Sequence, residues 1–163
     1  LTVVDLPFTC ADYSKIAGLK SFESLKHIRI GYKHLFHDPT TMFGFNLEEA
    51  ICKASALETL WAHMPMSKRN MFDGDPMLLA VNSEAFRDAI LHNIAVSEDA
   101  LVNFLLRHSQ SLQHLSIGVT LDTGTWFSTF HRILLQMTAL HTMQIAYLGE
   151  IRGSDIIQLH SHW

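Results

Sequence analysis

Chemistry in this chain would have to come from 11 histidines, two cysteines and a few neighbouring carboxylates. Glu48-Glu49, Glu98-Asp99 and Asp73-x-Asp75 are the acidic pairs. Adjacent carboxylates can divide general acid and base work, or hold a divalent cation. Each pair also has a plainer use. Glu48, Glu49, Glu98 and Asp99 fall in the first turn of a helical pattern, where negative charge meets the positive end of the helix dipole. Asp73-Gly74-Asp75-Pro76 is turn chemistry, without the further ligands that a calcium loop needs. His27, His34 and His37 lie near one another, and His160 and His162 end the chain. A zinc ion takes three or four ligands at about 2.0–2.3 Å, and no His or Cys spacing here matches a zinc pattern. Gly-x-Ser-x-Gly, a Gly-rich phosphate loop and His-Glu-x-x-His are all absent. The expectation is a protein with no catalytic residues, no metal and no cofactor.

Composition narrows the class. A chain of 163 residues with 48% apolar and 17% charged residues suits one packed domain spanning 1–163. Its net charge of −4 speaks against a nucleic-acid surface, which wants a dense basic patch. Cys10 and Cys52 form no CxxC pair, so a reducing intracellular setting, cytoplasmic or nuclear, is expected. No apolar run approaches the roughly 20 residues that cross a bilayer, and no signal peptide is visible. The first residue is Leu, inside a strand-like pattern, which reads as a piece of a longer protein.

Positioning elements emerge from one motif, Leu-x-x-Leu-x-Leu with any apolar residue at the Leu positions. Leu1-Val4-Leu6, Leu25-Ile28-Ile30, Leu57-Leu60-Ala62, Phe86-Ala89-Leu91, Leu112-Leu115-Ile117 and Leu140-Met143-Ile145 all fit, starting 24, 32, 29, 26 and 28 residues apart. A strand of this kind turns its motif positions into a core and the residues between outward. One unit cannot cover its own apolar side, so neighbours must stack and their strands pair in parallel.

Helical spacing falls between the strands. Tyr13, Ile16, Ala17 and Lys20 follow it, as do Leu47, Ala50, Ile51 and Ala54 behind the capping-box pattern Asn46-Leu-Glu-Glu49. Ser97 is a cap for a helix whose Leu101, Phe104, Leu105 and His108 share a side. Trp126, Phe130, Ile133, Leu134 and Met137 form a further stripe. Residues 64–81, broken by Pro65, Gly74 and Pro76, are expected as an irregular loop insertion with a short helix near Pro76–Val81; His37–Thr41 is a second loop.

These strands resemble leucine-rich repeats, in the longer form of ribonuclease inhibitor and F-box proteins. The phrases Ser97–Ser109 leading into Leu112-Gln-His-Leu115, and Leu121–Trp126 leading into a helix, resemble the fungal F-box-type leucine-rich repeat family. Most of the chain carries the likeness, with specificity over about residues 86–148. The resemblance implies an α/β fold: a right-handed leucine-rich-repeat solenoid with a curved parallel sheet inside and helices outside, of about six irregular repeats. Members often place Asn, Cys or Thr at the ninth repeat position. Thr120 fits that role, whereas Lys33, Pro65, Ile94 and Leu148 depart from it. An F-box is not seen within the chain; the resemblance places any such segment upstream of Leu1, where it would meet a ubiquitin-ligase adaptor.

The resemblance also implies a concave binding face made of the outward strand positions. Third positions are Val3, His27, Thr59, Asp88, His114 and Thr142; fifth positions are Asp5, Arg29, Trp61, Ile90, Ser116 and Gln144. Trp61 and Ile90 would lie side by side, flanked by Arg29, His63, His92 and Asp88, with His114 and Ser116 on the next strand. An apolar anchor ringed by polar groups is how interface hot spots are built. The competing reading tucks Trp61 under the 64–81 loop as core. The functional expectation is therefore a non-catalytic protein–protein interaction module recruiting substrates for an F-box-type ubiquitin ligase. The alternative is a scaffold or structural repeat protein unconnected with ubiquitin ligation. No nucleic-acid or membrane partner is expected.

Overall fold

A computed structural model describes residues 3–7, 22–31, 47–64, 71–153 and 155–159, with no side-chain description for 3–7. The chain is a mixed α/β protein. Its elements are β1 (Val3–Pro7), β2 (His27–Gly31), α1 (Leu47–Lys53), β3 (Thr59–His63), β4 (Phe72–Asp73), α2 (Asp75–Ala80), β5 (Asp88–Ser97), α3 (Glu98–Arg107), β6 (His114–Thr123), α4 (Trp126–Ile133), β7 (Thr142–Arg152) and β8 (Asp155–Leu159). Strands pair in the order β1-β2-β3-β5-β6-β7-β8. All neighbours are parallel except β7 and β8.

The register follows the repeated motif without slippage. Val3, His27, Thr59, Asp88, His114 and Thr142 are successive partners across six strands, and so are Asp5, Arg29, Trp61, Ile90, Ser116 and Gln144. Successive side chains of a strand point to opposite faces, so a slip of one residue would expose the whole apolar set. Ile28, Ile30, Leu60, Ala62, Ala89, Leu91, Leu115 and Ile117 are buried accordingly. Each Leu or Ile withdrawn from water in this way contributes about 1.5–3 kcal/mol. The helices supply the other side of the core: α1 packs on α2, α2 on α3 and α3 on α4, while α3 touches β5 and β6.

A row of carboxylates ties consecutive turns together. Asp75 opens α2 and accepts the N–H of Ser97 at 2.7 Å and its hydroxyl at 2.5 Å. Glu98 opens α3 and accepts the N–H of Thr125 at 2.9 Å, the Ser128 hydroxyl at 2.5 Å and Arg132 at 3.0 Å. Ser97 and Thr125 are the N-caps of the following helices, accepting from Ala100 and Ser128. In the last unit the device reverses. Glu150 reaches back from β7 to accept the N–H of Trp126 at 2.9 Å and pairs with Arg152.

Several expectations need correction. Of the stretch 64–81, residues 65–70 lie outside the described residues; in the rest, β4 pairs with β5, and α2 falls close to the short helix expected near Pro76–Val81, with Met77 and Leu78 buried. Its Asp73 and Asp75 serve the turn, since Asp73 accepts the N–H of Asp75 at 3.0 Å. Leu134 does not continue the α4 stripe, because the helix ends at Ile133 and leaves Leu134 exposed. β5, β6 and β7 run to 10 or 11 residues, well past the motif, and β8 returns antiparallel after Gly153, whose φ of 65° suits a tight hairpin. The Tyr13–Lys20 helix, the His37–Thr41 loop, the Asn46 cap, His34, His37, His160 and His162 lie outside the described residues. Among the described residues no helix is long and apolar enough to cross a membrane.

Candidate interaction surface

The sheet face opposite the helices carries every proposed contact residue. Arg29, His63 and His114 are exposed, while Trp61, Asp88, Ile90, His92 and Ser116 are half-buried. Trp61 lies on the side opposite its buried strand neighbours Leu60 and Ala62 and is itself half-buried; residues 65–70 of the loop that the competing reading places over it lie outside the described residues.

Third positions form a polar row across five strands. His27 Nδ1 lies 3.1 Å from Thr59 Oγ1, and the Thr59 hydroxyl donates to Asp88 at 3.2 Å. With its proton committed to Asp88, Thr59 must accept from His27, which places a proton on His27 Nδ1. Beyond Asp88, His114 Nε2 is 4.0 Å from the carboxylate and His114 Nδ1 is 2.7 Å from Thr142 Oγ1. That imidazole pairs with Asp88 as a charge only when protonated.

Trp61 departs from the expected arrangement in one respect. It is the register partner of Ile90, yet its indole leans the other way, with the Arg29 guanidinium carbon 3.9 Å from the ring centroid. Gly31 makes room: a Cβ there would come within 2.9 Å of Trp61 Cζ3. A guanidinium over an indole contributes about 0.5–1 kcal/mol at an exposed site.

The upper edge of the face holds a cluster that the sequence reading missed. Asn93 bulges from β5 at φ 58°, a left-handed value that Asn tolerates better than most residues. Its amide donates to the Met64 carbonyl at 2.7 Å, and its Oδ1 accepts from the Tyr147 hydroxyl at 2.6 Å. Tyr147 reaches from β7 across β6 to do so, passing over Gly118, where a Cβ would meet its ring at 3.0 Å. Burial pushes the Tyr147 phenol above its usual range. An isolated Gly in a strand pattern was the available signal for such a close approach.

His63 and His92 stand edge to face at 5.4 Å. Burial, followed by the neighbouring His63, holds His92 below the usual imidazole range and so favours its neutral form. His92 Nε2 lies 2.9 Å from Ser116 Oγ. A base beside a hydroxyl is the start of a nucleophilic pair, but no carboxylate orients this imidazole among the described residues, as a triad would need. Nor does any group of three His, Cys, Asp or Glu among them converge on a metal position. What the arrangement offers is a polar rim around Trp61 and Ile90. Compared with family models, curated proteins and solved structures, the chain finds no match.

Proposed function

We propose that this chain is a non-catalytic protein-recognition module, built as a right-handed leucine-rich-repeat solenoid, that binds a protein partner on the open face of its sheet. One observation carries the reading: across β2, β3, β5 and β6 the outward positions hold Arg29, Trp61, Ile90 and Ser116 in unbroken register, half-buried or exposed, while the residues between them fill the core. A rigid row of this kind presents an anchor and its rim without ordering cost on binding. The likeness to fungal F-box-type leucine-rich proteins extends the reading to substrate recruitment for an intracellular ubiquitin ligase, with the adaptor held by a segment upstream.

A scaffold role is the second reading. It draws on Phe127 of α4 and Leu134 and Leu135 just after it, all exposed, where another chain could stack without using the sheet face. Affinity capture with the full-length protein separates the two. Recovery of the ligase adaptor supports recruitment, and its absence supports the scaffold. Replacing Arg29 and Trp61 together by Ala should abolish capture of a protein partner and shift Tm by no more than a few degrees. A collapse in stability would instead make Trp61 structural.

A further inference from the structure

We infer that β8 pairs with the β8 of a second copy, joining two chains into a reversible twofold dimer with one continuous sheet. This contact is independent of the open-face reading, since it lies along the last strand rather than on the row of outward residues.

β8 ends the strand order, and its edge away from β7 has no strand among the described residues. Edge strands of soluble proteins are commonly guarded by Lys, Pro or a bulge. Asp155-Ile-Ile-Gln-Leu159 has none of these, and its one charge, Asp155, stands at its start. Its apolar residues also fall on both faces. Register with β7 sets Ile157 and Leu159 opposite Glu150 and Leu148, whose side is the helix side, since Glu150 holds the N–H of Trp126. Ile156, opposite Ile151, takes the open side. All three are exposed, at 37–40%. A strand that is apolar on both faces suits the interior of a sheet rather than its rim.

Direction and charge point to a second copy. The repeated parallel step stops at β7, and β8 lies outside the Leu-x-x-Leu-x-Leu spacing and runs antiparallel. It is therefore not the strand of another unit. A strand and its twofold copy run antiparallel by symmetry and make the same contact twice, the geometry of the commonest homo-oligomers. Centred on Ile157, the ladder sets that residue opposite its own copy, Ile156 opposite Gln158 and Asp155 opposite Leu159. All five positions pair, and the two carboxylates go to opposite ends, so no like charges face each other. The axis stands perpendicular to the sheet, which turns both open faces to the same side. Under the reading proposed above, such a dimer would grip a partner carrying two recognised segments through both faces at once. Five residues a side is well short of the roughly 20–30 of a stable complex, so the dimer is expected to be weak.

Sedimentation velocity of the full chain from about 1 to 300 μM is the test. Expected is a reversible monomer–dimer equilibrium with a Kd of about 10–100 μM and no larger species. Ile157→Lys and Ile157→Glu should each weaken it more than about tenfold, because each sets like charges face to face on the axis. The position is exposed, so circular dichroism should show the fold kept. Mixing the two variant chains should restore a dimer at least as tight as that of the unmodified chain, since position 157 then pairs opposite charges. Without any substitution, amide exchange in β8 should slow as the chain is concentrated. A chain monomeric throughout, growth beyond dimers, undiminished association of the Ile157→Lys chain, a mixture no tighter than either variant alone, or β8 exchange indifferent to concentration would each overturn the inference. Loss of the dimer in Leu135→Glu but not in Ile157→Lys would move the contact to the helix flank and overturn it as well.

Discussion

β6 and β7 carry the same motif in the same register, yet Ile117 is fully buried and its partner Ile145 is 39% exposed. The difference is the neighbour. β6 lies between β5 and β7, whereas β8 covers only Leu148–Arg152 of β7 and leaves the outer edge of 142–147 without a strand among the described residues. The helix layer repeats the contrast. Leu101, Phe104 and Leu105 of α3 are buried between α2 and α4, while Phe127 of α4 is 85% exposed and Leu135 just after it 93%. A strand–helix unit does not bury its own apolar flank; the next unit does.

Truncation at the two partnered positions should show the largest contrast. Ile117→Ala opens a cavity with neighbours on both sides and should cost about 2–4 kcal/mol. Ile145→Ala removes a side chain still partly in water and should cost less than about 1 kcal/mol. Urea unfolding of both variants measures the gap. Equal losses would mean that β7 is covered as β6 is, and the comparison would fail.

The carboxylate row gives a smaller and more local contrast. Hydrogen bonds to Ser128 and Thr125, followed by Arg132, hold the Glu98 carboxyl below the usual range despite its burial. Burial alone would raise Glu150, but the N–H of Trp126 and then Arg152 outweigh it, so Glu150 is also held low. A lowered carboxyl contributes stability that is present above the unfolded value and lost as the pH falls through the folded one. Glu98→Gln, which weakens the tie between two units, should cost about 1.5–3 kcal/mol. Glu150→Gln should act on the last unit alone, speeding amide hydrogen exchange in α4 and β7 while leaving β5 protected. Faster exchange in β5 as well would contradict that locality.

Much of this design was legible in the residues. Register and facing were, because the strand period is two and the motif marks it in every unit. The long second halves of β5 and β6 were not. Ile94-Ala95-Val96 and Val119-Thr120-Leu121 are near-continuous apolar runs, and a run without alternation does not distinguish strand from helix. The carboxylate row depends on which turns become neighbours, so Glu98 read as a dipole partner when it is also a tie. Thr120, expected to satisfy a turn, is buried against Gly149, and the turn amides go to the acids instead. On the open face the outward positions were readable, but the lean of Trp61 over Gly31 and the reach of Tyr147 to Asn93 were not, since both turn on glycines in neighbouring strands.

A buried imidazole in the middle of the array separates core from rim by pH. His108 stacks with Phe86 and Phe104 at 4.9 and 5.3 Å. The nearby Val81 carbonyl only partly offsets its burial, and its buried Nε2 has no partner among the described residues, which suits the neutral ring. Burial holds it below the usual imidazole range. Between that lowered value and the unfolded value of about 6.5, the unfolded chain binds more protons, so stability rises with pH there and falls on acidification. His108→Phe should flatten the slope of unfolding free energy between pH 7 and 5 while changing stability at pH 7 by less than about 1 kcal/mol. An unchanged slope would move the acid sensitivity to His92, the other imidazole held low by burial.

The smallest effect belongs to the most exposed leucine. Leu105 in α3 and Leu135 after α4 are the same residue type in successive units, one fully buried and the other 93% exposed. Burial contributes only in proportion to the apolar area taken from water, so Leu135→Glu should change the unfolding free energy by no more than about 0.5 kcal/mol. Leu105→Ala, by the same reasoning, should cost about 2–5 kcal/mol. A loss above about 1 kcal/mol for Leu135→Glu, measured on the isolated chain at low concentration, would show that something in solution already covers this flank. Position in the array, rather than residue type, would then no longer explain which leucines hold the fold.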